Sequence, residues 1–385
     1  MMALLDLWGN DRFELESKHV QQVIAFSGDG KLRDGSIGSV EFREYLHHIP
    51  SNLLSKYVDD CLQAPFTDSG LALQDIVNEI GRRLDFEVNP GRYRGNSNQP
   101  GHDGLWIDTN RYAIVIEVKT TDAYRIDLGT IASYRQVLAR SNQLQLDASS
   151  MLIIVGRQDT GDLEAQIRGS RYAWDMRVIS VDALLHMLKL KEEVEDPSLL
   201  KRIHDILIPH EFTRLDPIIE IAFAAVTDVK QEEIEVSHND RPHKEKKSTP
   251  AAFHTECIAR VEQHLKTSLL KHSRAMFRTV STNTRVLCAV SRYHDKDKGF
   301  WFAFHPHQKK FLSDSEMALV AFGCGDANTL FLIPFEKFQK WLEHFNKTKL
   351  QDRFYWHVKI KKIGKLFMIS SRAGTDDIEI TKYKI

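Results

Sequence analysis

Two short stretches of sequence decide how this chain folds. Residues 101–108 read GHDGLWID, and residues 113–119 read AIVIEVK. The second stretch is apolar from Ala113 to Val118 except for Glu117, which predicts a buried strand. Side chains alternate between the two faces of a strand, so Glu117 and Lys119 share one face while Val118 points to the other. An acid and a base are therefore presented together at the end of a buried strand.

A hairpin between the two stretches would add a second acid. If its turn is centred on Asn110, it pairs positions whose numbers add up to 220, and Asp103 lies opposite Glu117. Directly opposed residues share a face, with Cβ atoms about 4.5–5.5 Å apart. Two carboxylates and one ammonium group would then converge. A different turn length would change this register.

Such a trio suits metal-dependent hydrolysis of phosphodiesters. Carboxylate oxygens are good ligands for Mg²⁺, and a nearby lysine can orient or deprotonate the attacking water and offset the developing charge. The alternative is a surface hairpin whose charges form a salt bridge. The apolar run at 113–116 argues against it, because a buried carboxylate is costly unless a metal or a partner compensates its charge.

The same residues carry a family resemblance. Asp103 followed by Glu117, Val118 and Lys119 resembles the motif of the PD-(D/E)xK nuclease superfamily, with His102 where the motif's name has proline. The resemblance covers roughly residues 70–195. It implies a restriction-endonuclease-like α/β core, in which a mixed sheet is flanked by helices. It also implies catalysis by Asp103, Glu117 and Lys119, Mg²⁺ as cofactor with Mn²⁺ as a substitute, and metal binding by Asp103 and Glu117.

The surrounding sequence has the element order that the resemblance implies. Residues 71–84 place Leu73, Ile76, Val77 and Ile80 on one helical face, and a strand is predicted from Phe86. Residues 129–138 predict a second helix, and 151–156 and 177–181 predict buried strands. A helix over 182–193 and a helical extension over 197–226 follow.

Four further residues are candidates for the site because of the resemblance. The first helix of the family often carries a metal-binding glutamate, and here Gln74 occupies the aligned position while Glu79 lies on the opposite flank of the apolar stripe. Glu79 is thus either a metal ligand or an ordinary helix carboxylate. The second helix often supplies a glutamine or tyrosine, which makes Gln136 a candidate catalytic residue and Tyr134 another. Ordinary helix-surface packing is the alternative for both.

The composition limits the class of protein. The chain has 385 residues, of which 42% are hydrophobic and 27% charged, so we expect a globular protein of two or three domains. No run of 18 apolar residues predicts a membrane span, and the first residues lack the basic and apolar regions of a signal peptide. Four cysteines without CxxC spacing favour neither a zinc ribbon nor a disulfide framework. We expect a cytoplasmic protein that does not bind membranes.

The charge is distributed unevenly along the chain. Residues 251–385 contain 23 Lys and Arg against 13 Asp and Glu, a net charge of +10, whereas residues 1–250 carry −11. A basic region attached to an acidic one favours binding of phosphate backbones by the basic part. The alternative is that these charges only solvate the surface.

The pattern predicts four regions. They are an N-terminal helical region at 1–69, a nuclease domain with a helical extension at 70–230, a linker at 231–250, and a basic α+β DNA-recognition domain at 251–385. The linker is nearly devoid of apolar side chains, so it cannot form a core by itself. The last region begins with a helix predicted at 253–271 and then becomes rich in strands.

Two segments are predicted to contact DNA. Residues 91–101 combine Arg92, Arg94, an aromatic residue and glycines, and could place guanidinium groups on phosphates, although a plain surface loop is equally consistent. In the strand predicted at 354–360, Tyr355, Lys359 and Lys361 share one face with His357, and Lys362 follows. An aromatic and basic face of this kind is typical of nucleic-acid binding.

These features together predict a Mg²⁺-dependent DNA endonuclease, of the kind found among type II restriction enzymes or phage-defence nucleases. Cutting both strands needs two sites or sequential action, so we expect a homodimer with twofold symmetry. Two alternatives stay open. One is a repair or recombination nuclease acting on branched or single-stranded nucleic acid, or an RNase. The other is a catalytically silent protein that binds DNA.

Overall fold

The structure is a computed structural model of the 385-residue chain. It describes residues 3–94, 101–120, 126–156, 161–194, 197–209, 250–279, 283–294, 298–349, 354–372 and 374–385. The chain divides into two compact units, Met1–Glu233 and Ile234–Ile385. The predicted linker lies outside the described residues except at Pro250, and so does the predicted helical extension beyond residue 209.

Helices form the beginning of the first unit. They are α1 (Ala3–Asn10), α2 (Arg12–Ser17), α3 (Val20–Ala25), α4 (Ile37–His48) and α5 (Ser51–Gln63). The side chain of Asp11 caps α2 by accepting from the Glu14 amide, and Ser36 caps α4 by accepting from the Ser39 amide. Pro50 directly precedes α5, where its missing amide proton removes no helical hydrogen bond. Helices were predicted for this region, and the structure has them.

The rest of the first unit is a five-stranded mixed sheet with helices. Its elements are α6 (Ser69–Arg83), β1 (Glu87–Pro90), β2 (Gly104–Ile107), β3 (Ala113–Lys119), α7 (Leu128–Arg140), β4 (Ser149–Val155), α8 (Gly161–Arg168), β5 (Met176–Ser180), α9 (Val181–Glu193) and α10 (Pro197–Leu207). The strand order follows the sequence, from β1 to β5. Strands β1, β2 and β3 are antiparallel neighbours, and β3, β4 and β5 are parallel.

The two faces of this sheet pack against different helices. Ile114 and Ile116 of β3 belong to a core shared with α6, α9 and the N-terminal helices. Val115 belongs to a second core, formed with α7 and α8. Because faces alternate, Glu117 and Lys119 project on the α7 side, and Val118 packs on the α6 side, as predicted. The sheet therefore lies between two helical layers.

The second unit is an α+β fold with two sheets. Its elements are α11 (Pro250–Leu265), β6 (Leu269–Lys271), β7 (Met276–Thr279), β8 (Thr284–Ser291), β9 (Tyr293–His294), β10 (Gly299–Phe304), α12 (Pro306–Ser313), β11 (Met317–Cys324), β12 (Asp326–Pro334), α13 (Phe335–Trp341), β13 (Lys347–Lys349), β14 (Phe354–Ile363), β15 (Leu366–Ile369) and β16 (Ile378–Glu379). One sheet has the order β12-β11-β8-β7-β6, with β8 and β11 parallel. The other has the order β16-β15-β14-β10-β9, with β13 beside β14.

Two helices of the second unit differ from the sequence prediction. The helix predicted at 253–271 ends at Leu265, because Lys266 adopts a positive φ of 53° and the chain then forms β6. Helix α12 was not predicted. It begins at Pro306, which suits a first helical position, and the Gln308 side chain accepts a hydrogen bond from the His305 amide. The His305–His307 segment is thus the start of a helix.

The cysteines form no disulfide in the part of the chain that the structure describes, and all four are buried. Burial raises the pKa of Cys61 and of Cys257 to about 12, so these thiols stay protonated at neutral pH. Within the same described ranges, no helix combines the length and the apolar character needed to cross a membrane.

Candidate active site

The hairpin of β2 and β3 has the predicted register. Gly104 pairs with Ile116 and Ile107 pairs with Ala113, so paired numbers add up to 220. Asp108 closes the turn, because its Oδ1 atom accepts from the amides of Asn110 (2.8 Å) and Tyr112 (2.7 Å). This turn sets Asp103, one residue before β2, beside the end of β3.

Asp103, Glu117 and Lys119 come together at this end of the sheet. The Asp103 amide donates to the Ile116 carbonyl over 3.0 Å, and the Asp103 Oδ2 atom accepts from the Val118 amide over 2.6 Å. The Lys119 Nζ atom donates to Glu117 Oε1 over 2.5 Å. The backbone of β3 thus fixes one carboxylate, and Lys119 holds the other.

The charges of the trio influence one another strongly. Burial and the nearby Glu117 carboxylate raise the pKa of Asp103 to about 7, against the opposing effects of the Val118 amide and of Lys119. Burial alone would lower the pKa of Lys119, but its hydrogen bond to Glu117 and the charges of Glu117 and Asp103 raise it above the usual value. Lys119 is therefore cationic at neutral pH, and the carboxylates attract further positive charge.

One oxygen of Glu117 has no hydrogen-bond partner in the part of the chain that the structure describes. The residue is 7% exposed, and its Oε2 atom accepts no hydrogen bond from the residues that the structure describes. A buried carboxylate oxygen in this condition is costly unless a cation compensates it. The described residues contain no group of three or more His, Cys, Asp or Glu that could hold a metal. Mg²⁺, however, commonly uses one or two carboxylates with waters and substrate phosphate, so Asp103 and Glu117 fit this ion.

Two side chains of helix α6 hold the backbone of the site through hydrogen bonds. The Asp103 carbonyl accepts from Asn78 Nδ2 (2.8 Å), from Gln74 Nε2 (3.1 Å) and from the Gly91 amide (3.0 Å). Asn78 in turn accepts from the Trp106 indole over 3.0 Å. Asn78 was not identified as a site residue from the sequence. Gly104, the residue after Asp103, could have indicated that another side chain packs closely at this position. A Cβ atom at Gly104 would lie 2.2 Å from Asn78 Oδ1, so only glycine permits this close approach.

The structure places Glu79 in a separate ion cluster. Its Oε1 atom accepts from Arg83 Nε over 2.8 Å, and its Oε2 atom contacts His47 Nδ1 over 2.9 Å. Burial would raise its pKa, but Arg83 and His47 together lower it to about 2. These contacts use both oxygens and do not join the trio. The metal-binding role of Glu79 stays a prediction, whereas Gln74 lies at the site.

A buried aspartate on α6 was not anticipated. Asp75 accepts from Arg43 Nε over 2.7 Å and from the Tyr93 hydroxyl. Burial raises its pKa to about 6, although Arg43 and Tyr93 act in the opposite direction. Its charge also contributes to the raised pKa of Asp103. Arg43 therefore compensates the charge of Asp75, an acid of α6 that influences the ionisation of Asp103.

The predicted DNA-binding loop is partly anchored. Asp34 accepts from the amides of Tyr93 (2.9 Å) and Arg94 (3.3 Å), and its carboxylate lies 3.7 Å from the Arg92 guanidinium. Residues 95–100 lie outside the described residues. Arg92 and Arg94 thus start a loop that leaves Gly91, whose amide contacts the Asp103 carbonyl. Their contact with DNA stays a prediction.

Helix α7 brings one of its two candidates toward the trio. Tyr134 is half-buried, and burial together with the charge of Glu117 raises its pKa. Gln136 is exposed. Residues two positions apart lie about 200° apart around a helix, so Gln136 points away from the side that Tyr134 faces. The catalytic role predicted for Gln136 stays a prediction, and Tyr134 is the better placed of the two.

The basic strand of the second unit alternates as predicted. Trp356, Val358 and Ile360 of β14 are buried. The residues between them, Tyr355, His357, Lys359 and Lys361, are half-buried, and Lys362 is exposed. One face of β14 is therefore a core face and the other meets solvent.

No protein-family model matches this sequence, and neither does any curated protein. The functional evidence is therefore the chemistry of the residues at the site.

Proposed function

We propose that this protein is a Mg²⁺-dependent nuclease that hydrolyses phosphodiester bonds of DNA. The observation that carries the proposal is the convergence of Asp103, Glu117 and Lys119, in which one buried Glu117 oxygen has no hydrogen-bond partner among the described residues. Lys119 bonds Glu117, whereas Asp103 is held by the Val118 amide. Burial and the neighbouring carboxylate raise the pKa of Asp103, and a divalent cation bound between the two carboxylates would remove this cost of ionising both.

Each member of the trio has a separate task in this proposal. Bound Mg²⁺ would polarise the phosphate and stabilise the charge that develops on it. Asp103 and Glu117 would hold the ion, and the Val118 amide fixes the orientation of Asp103. Lys119 keeps its proton at Nζ and stands 35% exposed beside the carboxylates, where it can orient the attacking water and offset negative charge. The charges of the trio also influence the pKa of Tyr134, whose hydroxyl could contact the phosphate.

The arrangement of elements supports a restriction-endonuclease-like core. Helix α6 precedes three antiparallel strands, and α7 then connects β3 to the parallel strand β4. The trio lies at the C-terminal end of β3, which precedes α7 in the chain. This is the order that the motif resemblance implies, and it places Gln74 of α6 against the Asp103 backbone.

The second unit would supply additional contacts to DNA. Residues 251–385 carry a net charge of +10, and Lys359, Lys361 and Lys362 lie on or beside the solvent face of β14. Because one trio cuts one strand at a time, we further propose that the protein acts as a homodimer. Light scattering of the protein alone and on DNA tests this, and a monomer in both conditions would contradict it.

The decisive test is cleavage of plasmid DNA by the purified full-length protein. Methylated and unmethylated plasmids are incubated with Mg²⁺, with Mn²⁺ or with EDTA. We expect cleavage with either ion and none in EDTA, and we expect Asp103→Asn and Lys119→Met to abolish it while DNA binding is retained. Glu87→Gln is the matched control, because Glu87 is an exposed carboxylate of the same unit that pairs with Arg111.

The pattern of products separates the alternatives. Discrete fragments support a restriction enzyme, whereas nicking or smearing, or a preference for branched or single-stranded substrates or RNA, favours a repair-type nuclease or an RNase. A wild-type protein that binds DNA and never cuts it would show a catalytically silent binding protein. Full activity in EDTA would contradict the metal site.

A further inference from the structure

One sheet face of the second unit carries aromatic rings outside the core. In the sheet of β14 and β10, Phe302, Phe304 and Val358 face the hydrophobic core. The opposite face carries Trp301, which pairs with Lys359, and Ala303, which pairs with His357. Directly paired residues share a face, and side chains two apart on a strand share it as well. We call the set Trp301, Tyr355, His357, Lys359 and Lys361 the aromatic face.

The rings of the aromatic face hold one another in place. Trp301 Nε1 donates to His357 Nδ1 over 2.9 Å, and His357 Nε2 lies 2.7 Å from Thr348 Oγ1. The Trp301 and Tyr355 rings meet edge to face, with centroids 6.1 Å apart. Tyr355 also contacts the His305 ring at 5.6 Å. Because these orientations are already fixed, a ligand that stacks on the rings would lose little of its affinity to ordering them.

Small residues lie beside the indole. Gly299 and Ala303 flank Trp301 along β10 and project to the same face. A Cβ atom at Gly299 would lie 2.5 Å from the Ile360 carbonyl oxygen and 3.0 Å from Lys361 Cγ. The backbone of β14 and the aliphatic stem of Lys361 therefore pack closely beside Trp301, whose ring is half-buried.

The charge around these rings is predominantly basic. Lys359 and Lys361 belong to the aromatic face, and exposed Lys362 and Lys365 continue the chain into the turn before β15. Glu379 lies at the far edge of the same face, across β15, where it pairs with Met368. A ligand that matches this surface combines flat apolar rings with regularly spaced negative charges.

We propose that the aromatic face binds unpaired nucleotides of single-stranded DNA, with bases stacked on Trp301 and Tyr355 and phosphates contacted by Lys359 and Lys361. The faces of a base are accessible to aromatic side chains only when the base is not stacked inside a duplex. A surface for duplex backbone alone would need the lysines and not the ordered rings. The choice of DNA rests on the function proposed above, whereas the stacking depends on this unit alone.

The test measures binding of the full-length protein in EDTA, so that no cleavage interferes. Fluorescence anisotropy gives the affinity for a labelled 20-nucleotide oligo-dT, for an oligo-U of equal length and for a hairpin duplex. A base that stacks on an aromatic side chain contributes substantially to the free energy of binding. We therefore expect Trp301→Ala and Tyr355→Ala each to weaken oligo-dT binding about tenfold. Duplex binding should change less than about twofold. Trp301→Phe keeps a ring and should restore most of the affinity.

Two controls separate stacking from other effects. Trp174 is a 68% exposed tryptophan of the first unit, so Trp174→Ala should leave oligo-dT binding unchanged. Glu87→Gln, at an exposed carboxylate of the first unit outside the trio, should also bind oligo-dT normally. Because binding is measured in EDTA, a failure of the nuclease proposal would leave this result standing. The proposal is overturned if Trp301→Ala and Tyr355→Ala bind oligo-dT as the wild type does, if they lose duplex affinity equally, or if oligo-U is bound more tightly than oligo-dT. Circular dichroism confirms that each variant is folded.

Discussion

The side-chain amide of Asn78 donates a hydrogen bond to the main-chain carbonyl of Asp103, over 2.8 Å. Asn78 is 1% exposed, and its other amide atom accepts from the Trp106 indole. The position of a proposed metal ligand is thus tied to a buried side chain of helix α6. In the proposed function Asn78 is a positioning residue, which acts through the Asp103 backbone.

Replacing Asn78 by alanine should impair stability and cleavage together. The change leaves the buried Trp106 N–H without an acceptor, which costs roughly 1–3 kcal/mol. It also releases one of three donors to the Asp103 carbonyl, so we expect slower cleavage with little change in DNA affinity. Urea unfolding and plasmid cleavage rates measure both effects. Asn110→Ala in the exposed hairpin turn is the control, and an Asn78→Ala protein as stable and active as the wild type would contradict the assignment.

Divalent cations should stabilise the native protein through Glu117. An ion that binds only the folded state adds about 2.7 kcal/mol to the free energy of unfolding at 100 times its Kd. We therefore expect Mg²⁺, Mn²⁺ and Ca²⁺ to raise the melting temperature of the wild type, and Glu117→Gln to remove most of that rise. Ca²⁺ should support no cleavage, because its larger and more flexible shell positions water less strictly. An equal rise in Glu117→Gln would place the ion elsewhere.

The Glu79 cluster should make stability depend on pH in acid. Glu79 has a pKa of about 2 in the folded protein against an ordinary 4.5, so between these values the unfolded chain binds more protons. The stabilisation is complete above pH 4.5 and is lost as the pH falls through 2. The shift corresponds to about 3 kcal/mol. Glu79→Gln should be less stable at pH 7 and lose less on acidification, as measured by urea unfolding at several pH values.

The control for this pH effect is Glu87→Gln, since Glu87 is exposed. It should follow the wild-type curve throughout the acid range. If Glu79→Gln also followed that curve, the Arg83 and His47 contacts would not determine the ionisation of Glu79. If instead Glu79→Gln lost cleavage with its stability unchanged, the metal-binding role predicted from the sequence would regain support.

Neutralising the basic strand should weaken binding of duplex DNA. With Lys359, Lys361 and Lys362 all changed to glutamine, we expect the slope of log K against log salt to fall by about 0.9 for each phosphate that the protein no longer neutralises. Titrations of a duplex oligonucleotide from low to high salt measure the slope. A control replaces Lys337 and Lys340 of α13, which lie on another element. An unchanged slope in the triple variant would give the positive charge of β14 a different role.

The sequence predicted local geometry well. The β2–β3 register followed from the position of Asn110, and the alternation of buried residues on β14 followed from the period of the strand. Both depend on contacts between residues close in sequence. The amphipathic pattern also predicted that α6 is helical with one apolar face.

Features that depend on packing between distant segments were not predictable. Glu79 and Gln74 are both polar residues of α6, and their roles diverge because α4 supplies His47 to one flank while the hairpin meets the other. Helix α11 ends before the predicted residue 271 because Lys266 adopts a positive φ. A lysine gives no indication of this conformation in the sequence. The Asp75 cluster needs Arg43 from a helix 32 residues away in sequence.

The distances along the chain between the hydrogen-bond partners of Asp103 imply an order of assembly. Its bond to Val118 spans 15 residues within a hairpin, whereas its bonds to Asn78 and Gln74 span 25 and 29 residues. Closing a longer loop costs more chain entropy, and non-local contacts form later in folding. The hairpin can therefore bring the carboxylates together before helix α6 docks on the sheet, and the proposed site is complete only after that last step.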